Sequence, residues 1–326
     1  MSKATTENSA GMTKKSKVFS IPQTGPLIVF LLAMIVFFSV TSEYFFDIEN
    51  FKNILVALAV TGIVCVPGTF LMVAGHVDLS VGSAAAVSGM ILAQTVNDKG
   101  IATGLAYSLA FGLALGVING FFVTVVHVNS LITTLGGLAT LYGVALLAGN
   151  GQTVGMFGFE WLGTAQPFSI PLPIIIFATL AVLGIITLRR TTYGRSLYAI
   201  GANPNAARVV GIRSNRILYM TFILSSVSAA LAGAVLASQL SAGDPNAAKG
   251  LELEVVTAIV LGGASLAGGR GTLLGTVLGL IVIQVLNNGL ILLDVPSFWQ
   301  RIAQGILLIA AVSFDQIRQK FNSLDG

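Results

Sequence analysis

The sequence predicts an all-α, polytopic membrane protein: a bundle of about ten transmembrane helices whose N and C termini both lie in the cytoplasm. Hydrophobic residues make up 55% of the chain and charged residues only 9%, and the mean hydropathy is +0.88. A soluble domain carries about 25% charged residues, so this chain lacks the charge needed to cover a water-facing surface. Its 37 glycines agree, because glycine is more frequent in membrane helices than in soluble ones.

Ten apolar runs approach the length of about 20 residues that a helix needs to cross a bilayer. In chain order they cover residues 26–41, 53–74, 79–96, 101–126, 131–149, 171–188, 217–240, 253–267, 272–292 and 298–314. The run 253–267 is short and glycine-rich, which predicts a broken or re-entrant helix and leaves open whether it spans completely. We expect one membrane domain at 26–314, with cytoplasmic tails at 1–25 and 315–326.

Basic residues predict the orientation of these spans, because cytoplasmic loops collect lysine and arginine. With the N terminus inside and the spans alternating, thirteen basic residues fall on the cytoplasmic side. Only four, Lys52, Lys99, Lys249 and Arg301, fall outside. An odd number of spans would move the basic C-terminal residues outside and weaken this bias.

The longest cytoplasmic loop, residues 189–216, holds six of the seventeen lysines and arginines. Its centre predicts a short surface helix that begins near Pro204, after a capping Asn203 or Asn205, and ends by Gly211. A polar, basic, helix-forming loop in an otherwise apolar chain indicates a surface for a soluble partner. The candidate contact residues are Gly201, Asn203, Asn205, Ala206, Ala207, Arg208 and Gly211.

The sequence excludes several classes of activity. It has no Gly-x-x-x-x-Gly-Lys-Ser/Thr loop, so it cannot hydrolyse ATP by that route. It has no nucleophile elbow and no His-Glu-x-x-His motif, and its two histidines lack zinc-ligand spacing. We therefore expect no catalytic residue, no metal site and no cofactor in this chain. The basic residues are spread over loops instead of forming one patch, which argues against nucleic acid as a partner.

Charge within the membrane is predicted to be nearly absent. Only Asp78 lies close to the membrane, at a cytoplasmic turn, where we expect it either to cap the third span or to shape the inner gate or the ATPase contact. Ion-driven carriers usually bury charged residues along the ion path, so the sequence favours an energy source outside this chain. A stand-alone secondary carrier or channel for a small neutral solute and a non-transport membrane scaffold are the alternative interpretations.

Glycines four residues apart predict two close contacts between helices, because small residues on one face let backbones approach. The two sets are Gly112, Gly116 and Gly120, and Gly271, Gly275 and Gly279.

Three stretches together resemble one protein family. Residues 75–82 read Gly-His-Val-Asp-Leu-Ser-Val-Gly, residues 199–208 read Ala-Ile-Gly-Ala-Asn-Pro-Asn-Ala-Ala-Arg, and residues 261–272 read Leu-Gly-Gly-Ala-Ser-Leu-Ala-Gly-Gly-Arg-Gly-Thr. The first is similar to the Gly-Gly-Ile-Asp-Leu-Ser-Val-Gly sequence of the ribose-type sugar permeases of ATP-binding-cassette importers, with His76 replacing the second glycine. The resemblance runs from about residue 50 to 315.

The resemblance implies a membrane-spanning importer subunit in the bacterial inner membrane. A cytosolic ATPase subunit, which carries the ATP and Mg, would drive the cycle, and a periplasmic or extracytoplasmic sugar-binding protein would deliver the cargo. A second permease subunit, identical or related, would complete the pathway through the lipid bilayer. The expected cargo is a monosaccharide or a similar small polar solute, and its identity is left open.

The resemblance also implies roles for particular residues. Asn205-Ala206-Ala207-x-x-x-Gly211 is similar to the Glu-Ala-Ala-x-x-x-Gly core of importer coupling loops, with Asn205 replacing the glutamate, so the loop 189–216 is assigned to ATPase coupling. The inner turn of the family signature comprises Gly75, Asp78, Ser80 and Gly82.

Uncharged polar residues inside the spans are the candidates for the translocation path. A sugar needs hydrogen bonds to its hydroxyl groups, and amides supply donor and acceptor together. The candidates are Asn119, Thr133, Thr134, Gln94, Asn287, Asn288 and Gln284.

Overall fold

The computed structural model describes residues 25–324, and it is a bundle of helices. Its α-helices are α1 (Gly25–Thr41), α2 (Ile48–Val73), α3 (Val81–Lys99), α4 (Ile101–Thr124), α5 (Ser130–Ala148), α6 (Trp161–Thr164), α7 (Leu172–Arg190), α8 (Thr192–Ala202), α9 (Pro204–Val209), α10 (Ser214–Leu240), α11 (Leu251–Leu261), α12 (Leu273–Leu292) and α13 (Ser297–Leu324). A 3-10 turn at Pro167–Ser169 and two short strands, β1 (Val154–Gly155) and β2 (Ala242–Gly243), complete the described elements.

The prediction of an all-α membrane bundle is confirmed. Among the described residues, six helices are long and apolar enough to cross a membrane: α2, α4, α5, α7, α10 and α12. The N-terminal tail predicted at 1–25 lies almost wholly outside the described residues. The C-terminal tail predicted to begin at 315 is not set apart by a break, because α13 runs from Ser297 to Leu324.

Helix α11 differs from the run predicted at 253–267. It ends at Leu261, and residues 262–272 form turns instead of a further helical turn. Its 11 residues rise only about 16 Å, roughly half the thickness of a bilayer core. The physical reason lies in the glycines after Leu261: Gly263, Gly268 and Gly269 have positive φ angles, which a continuing α-helix does not accommodate.

The bundle has two distinguishable ends. At the connector end, α8 and α9 link α7 to α10, and the Val73 carbonyl at the end of α2 lies against this link. At the strand end, β1 pairs antiparallel with β2, with Val154 opposite Gly243. Helix α10 runs from one end to the other, since it begins directly after the connector and ends beside β2.

Helices α2 and α10 form the centre of the bundle. Helix α10 packs on α2, α3 and α4, while α2 also contacts α7, α11 and α12. Helices α2 and α7 run in the same direction, because Gly62 faces Phe177 and Gly184 faces Val66 and Phe70. Helices α2 and α12 run in opposite directions, as the hydrogen bond between the Thr69 and Thr276 hydroxyls and the amide pair of Asn50 and Asn288 indicate.

The first predicted glycine face is confirmed. In α4, a Cβ at Gly112 would lie 2.6 Å from the Ala230 Cβ, and a Cβ at Gly120 would lie 3.1 Å from the Tyr219 ring. Gly116 meets the backbone of Ile223 in the same way. Helix α10 can therefore approach the α4 backbone closely only because these positions carry no side chain.

The second predicted glycine face is confirmed only in part. Gly275 and Gly279 lie in α12 and face the backbone of α11 at Gly262 and Ala258. Gly271 precedes the helix, which begins at Leu273 after the N-cap Thr272, and its φ angle is 143°. Gly271 therefore belongs to the turn between α11 and α12 and not to the helix face.

Candidate functional site

The inner turn predicted around Asp78 lies inside the bundle. The Asp78 carboxylate accepts hydrogen bonds from the Ser80 amide (3.0 Å) and hydroxyl (2.6 Å) and from the Ser225 hydroxyl (2.9 Å). Ser225 stands about 16 Å along α10 from its start at the connector end. The expected position at a cytoplasmic turn is therefore wrong, and Asp78 is buried because the segment before α3 dips into the bundle.

Asp78 stabilises the start of α3 without being its N-cap residue. The N-cap is Ser80, whose side chain makes no capping bond, and the Asp78 carboxylate binds the Ser80 amide instead. Asn119 donates from its side-chain nitrogen to the Ser80 hydroxyl over 3.1 Å, so it belongs to this buried network. Three donors to one carboxylate offset much of the cost of removing the charge from water.

Two helices begin in the interior of the bundle, and their N termini meet. Helix α3 starts after the dipping segment from the connector end, and α11 starts after residues 244–250 at the strand end. A side chain at Gly82, in the first turn of α3, would overlap the Glu252 carboxylate in the first turn of α11. The missing side chain at Gly82 therefore makes room for a carboxylate at the positive end of a helix, where negative charge is stabilised.

Four glycines join the connector to the ends of α2 and α11, and we call them the glycine junction: Gly75, Gly201, Gly268 and Gly269. The Gly269 amide donates to the Val73 carbonyl over 2.8 Å. A Cβ at Gly268 would lie 2.8 Å from the Gly75 Cα, and one at Gly201 would overlap the Val73 carbonyl oxygen and the Gly269 amide. Three distant parts of the chain thus touch through backbone alone.

Tyrosines of α8 hold the connector on the bundle. The Tyr193 hydroxyl lies 2.6 Å from the Thr221 hydroxyl in α10, and the Tyr198 hydroxyl donates to the Gly271 carbonyl over 2.7 Å. Burial raises the pKa of the Tyr193 phenol above its ordinary value. Helix α8 is therefore fixed to two elements at once.

The short surface helix predicted in the connector is present as α9. It begins at Pro204, and the Asn203 side-chain oxygen accepts from the amides of Asn205 (3.1 Å) and Ala206 (3.0 Å). Gly211, with a φ angle of 83°, follows its end. The predicted cap, helix start and stop are confirmed, and Asn203 rather than Asn205 is the cap.

The faces of α9 and the turn after it differ in chemistry. Ala207 is 3% exposed and packs on the bundle, so its side chain cannot meet a soluble partner directly. Val209 and Val210 are 87% and 74% exposed, and Arg208 is exposed beside them. The outward surface of the connector is therefore an apolar pair next to a positive charge.

A cavity of about 630 Å³ lies between α2, α10, α11, α12 and α13. It extends from Thr61, at the middle of α2, toward the strand end, where residues 297–308 of α13 border it. This volume falls within the roughly 300–1,000 Å³ typical of small-molecule sites. Five side-chain amides line it: Gln239, Gln284, Asn287, Gln300 and Gln304.

The residues predicted to line the translocation path lie in different parts of the bundle. Asn287 lines the cavity and accepts a hydrogen bond from Gln304. Asn288 pairs with Asn50 between α12 and α2, and Thr133 and Thr134 bond backbone carbonyls of their own helix. The structure therefore places two of the seven candidates, Asn287 and Gln284, at the cavity. Asn119 belongs to the Asp78 network, and Gln94 donates to the Ala148 carbonyl.

Sequence reasoning missed Glu254. The Gln284 amide donates to its carboxylate, and the Thr61 hydroxyl, which accepts from the same amide over 3.5 Å, lies beside it. Since Thr61 stands at the middle of α2, Glu254 lies deep in the bundle, and the expectation that only Asp78 brings charge close to the membrane is wrong. The sequence did contain a signal for this residue, because Glu252 and Glu254 interrupt an apolar run directly after Gly250. In the structure, Gly250 has a φ angle of 96°.

These features define a membrane transport component: an apolar bundle, a polar cavity within it, and a connector exposed at one end. Residues 50–312 match the permease family described as "branched-chain amino acid transport system / permease component". The chain is 37% identical over 298 residues to the ribose import permease protein RbsC of Bacillus subtilis, covering 90% of this chain and 92% of that protein.

Two further relatives come from Escherichia coli K12. The ribose import permease protein RbsC is 35% identical over 324 residues, which cover 97% of this chain and all of that protein. The L-arabinose transport system permease protein AraH is 37% identical over 302 residues, covering 91% of this chain and 92% of that protein. No solved structure matches the chain significantly.

The chain therefore belongs to this permease family and is a permease component of an import system, as the motifs predicted. It is a multi-pass membrane protein, and the relatives are transport subunits and not enzymes.

Proposed function

We propose that this chain is the membrane-spanning subunit of an ATP-driven importer for a monosaccharide or a similar small polar solute. The observation that carries the proposal is the similarity to a ribose import permease over 97% of this chain and the whole of that relative. The similarity to an arabinose permease points to the chemistry that both sugars share, which is a small uncharged molecule with several hydroxyl groups.

The proposed topology has ten spans with both termini in the cytoplasm of a bacterial inner membrane. To the six long apolar helices it adds α1, α3, α11 and α13, with α3 and α11 starting in the bundle interior. The shared direction of α2 and α7, the second and sixth spans, and the opposite directions of α2 and α12, the second and ninth, support this arrangement. The connector with its arginines then lies on the cytoplasmic side, in agreement with the distribution of basic residues.

A cytosolic ATPase subunit, which binds the ATP and Mg, docks on the connector in this proposal. The contact surface is the exposed part of the stretch Asn203–Gly211, with Val209 and Val210 at its tip. A movement of α8 is transmitted through the glycine junction to the segment between α2 and α3, which carries Asp78. The reason is that Gly201 contacts the end of α2 without an intervening side chain. A second permease subunit and an extracytoplasmic sugar-binding protein complete the importer.

Reconstitution tests the proposal as a whole. Proteoliposomes that contain the permease, the ATPase and the sugar-binding protein are expected to accumulate radiolabelled ribose or arabinose only with ATP. Vesicles with the permease alone are expected to accumulate neither sugar. Uphill accumulation by the permease alone would instead establish a stand-alone carrier.

A single substitution tests the docking surface. Val209→Asp places a charge on the exposed apolar tip and is expected to reduce co-purification of the ATPase at least about tenfold, as loss of an interface contact of 1.4 kcal/mol would do. The control is Gln152→Asp, which adds the same charge at an exposed position near the strand end. Unchanged co-purification of the Val209 variant would remove this surface from the proposed interface.

A further inference from the structure

We propose that Glu254, Gln284 and Thr61 form a hydroxyl-binding subsite in the cavity, which takes an uncharged polyhydroxylated solute during transport. The inference rests on the proposed function, because it names the residues through which the permease would contact its cargo.

The depth of Glu254 is the first argument. Its carboxylate contacts Thr61 at the middle of α2 and Gln284 in α12, so the charge lies far from either end of the bundle. A carboxylate at such depth in a membrane protein is costly, and it is retained mainly where it faces a polar cavity or a functional partner. All three residues line the 630 Å³ cavity.

Hydrogen-bonding capacity is the second argument. The two oxygens of a carboxylate offer roughly four acceptor sites, of which the Gln284 amide uses one. The remaining sites suit the O–H groups of a solute. A sugar hydroxyl both donates and accepts, and the neighbouring Gln284 and Asn287 amides offer the complementary groups.

Charge balance is the third argument, and it selects a neutral cargo. The cavity lining contains two carboxylates, Glu252 and Glu254, and two cations, Lys249 and Arg301. The formal charge of the lining is therefore zero, so the cavity as a whole attracts neither cations nor anions strongly.

An unpartnered amide beside the cavity gives independent support. The Gln239 side chain lines the cavity, and its amide nitrogen is buried without a hydrogen-bond partner. Buried polar groups are normally paired, so this unpaired donor is available to a solute or a water once the side chain turns toward the cavity.

The test measures which hydroxyl groups the permease distinguishes. In proteoliposomes with the complete importer, ATP-dependent uptake is measured for ribose and for ribose derivatives that each lack one hydroxyl. The ratio of the two uptake rates is compared between the wild type and Glu254→Gln, which keeps the size of the side chain but loses its charge. Because both proteins use the same sugar-binding protein, its preference cancels in this comparison.

The expected result is specific to one or two derivatives. For a derivative that lacks the hydroxyl bound by Glu254, the substitution is expected to reduce the preference for ribose about tenfold or more, as loss of a hydrogen bond to a charged group does. Thr61→Val, which removes the hydroxyl at equal size, is expected to reduce it in the same direction. Glu160→Gln, at an exposed position outside the cavity, is the control and should leave every ratio unchanged.

Three outcomes would refute the subsite, and the last of them would also refute the proposed function. If Glu254→Gln and Thr61→Val slow all sugars equally, the residues are structural and the subsite is refuted. If both variants transport every sugar like the wild type, the subsite is refuted while the proposed function stands. If the wild-type importer moves no monosaccharide with ATP, the proposed function fails and the inference falls with it.

Discussion

Substitution of Gly201 by alanine is expected to destabilise the connector strongly, because the glycine junction has no space for a methyl group. The added Cβ would lie 3.0 Å from the Val73 carbonyl carbon and closer still to its oxygen, and it would overlap the Gly269 amide. All of these atoms are backbone, so no side chain can rotate away. The steric clash is relieved only if α8 moves away from the end of α2.

The magnitude follows from two terms. Overpacking of a close contact costs about 1–3 kcal/mol. The displaced Gly269 amide also loses its 2.8 Å hydrogen bond to the Val73 carbonyl, which costs about 1 kcal/mol more. Alanine gains up to about 1 kcal/mol over glycine in a helix, so the net expected loss is about 1–3 kcal/mol.

The matched control is Gly136→Ala in α5, where a Cβ would meet nothing within 4 Å. There only the gain in helix propensity applies, so the control should be as stable as the wild type or more stable. The assay is reversible unfolding of the full chain in mixed detergent micelles, together with sugar uptake per ATP hydrolysed in the complete importer. Equal free energies of unfolding for the two variants would refute the packing argument.

Two further substitutions test hydrogen bonds at the site. Asn203→Ala removes the cap of α9, which should cost about 1 kcal/mol and raise hydrogen exchange of the α9 amides about fivefold, whereas Asn203→Ser should retain most of the protection. Ser225→Ala removes a donor from the buried Asp78 carboxylate and should lower the free energy of unfolding by about 1.5–3 kcal/mol. Ser226→Ala is its control, since that buried hydroxyl has no hydrogen-bond partner; equal losses at the two serines would contradict the role of the Asp78 bond.

Local sequence signals predicted local structure well. The cap, start and stop of α9 follow from Asn203, Pro204 and Gly211, because these residues act through their own backbone neighbours. The glycine face of α4 was also readable, since a four-residue spacing fixes which side of a helix is bare.

Depth within the bundle could not be predicted in the same way. The sequence predicted Asp78 at a cytoplasmic turn and no other charge close to the membrane, so it missed Glu254, because hydropathy assigns polar residues to loops. Both residues precede or begin a helix that starts inside the bundle, and their partners, Ser225 and Gln284, are distant in sequence. The orientation of Ala207 toward the bundle likewise depends on how α9 lies against other elements, which its own sequence does not specify.

The two surfaces of the connector are built from different residues, and this separation has a consequence for engineering. The inward surface, with Gly201 and Ala207, fits one backbone shape, whereas the outward tip at Val209 and Val210 is largely exposed. A designer could therefore substitute the residues of the tip so that it binds the ATPase subunit of another importer, and leave the inward surface of the connector unchanged. Related permeases could exchange ATPase partners through the same few substitutions.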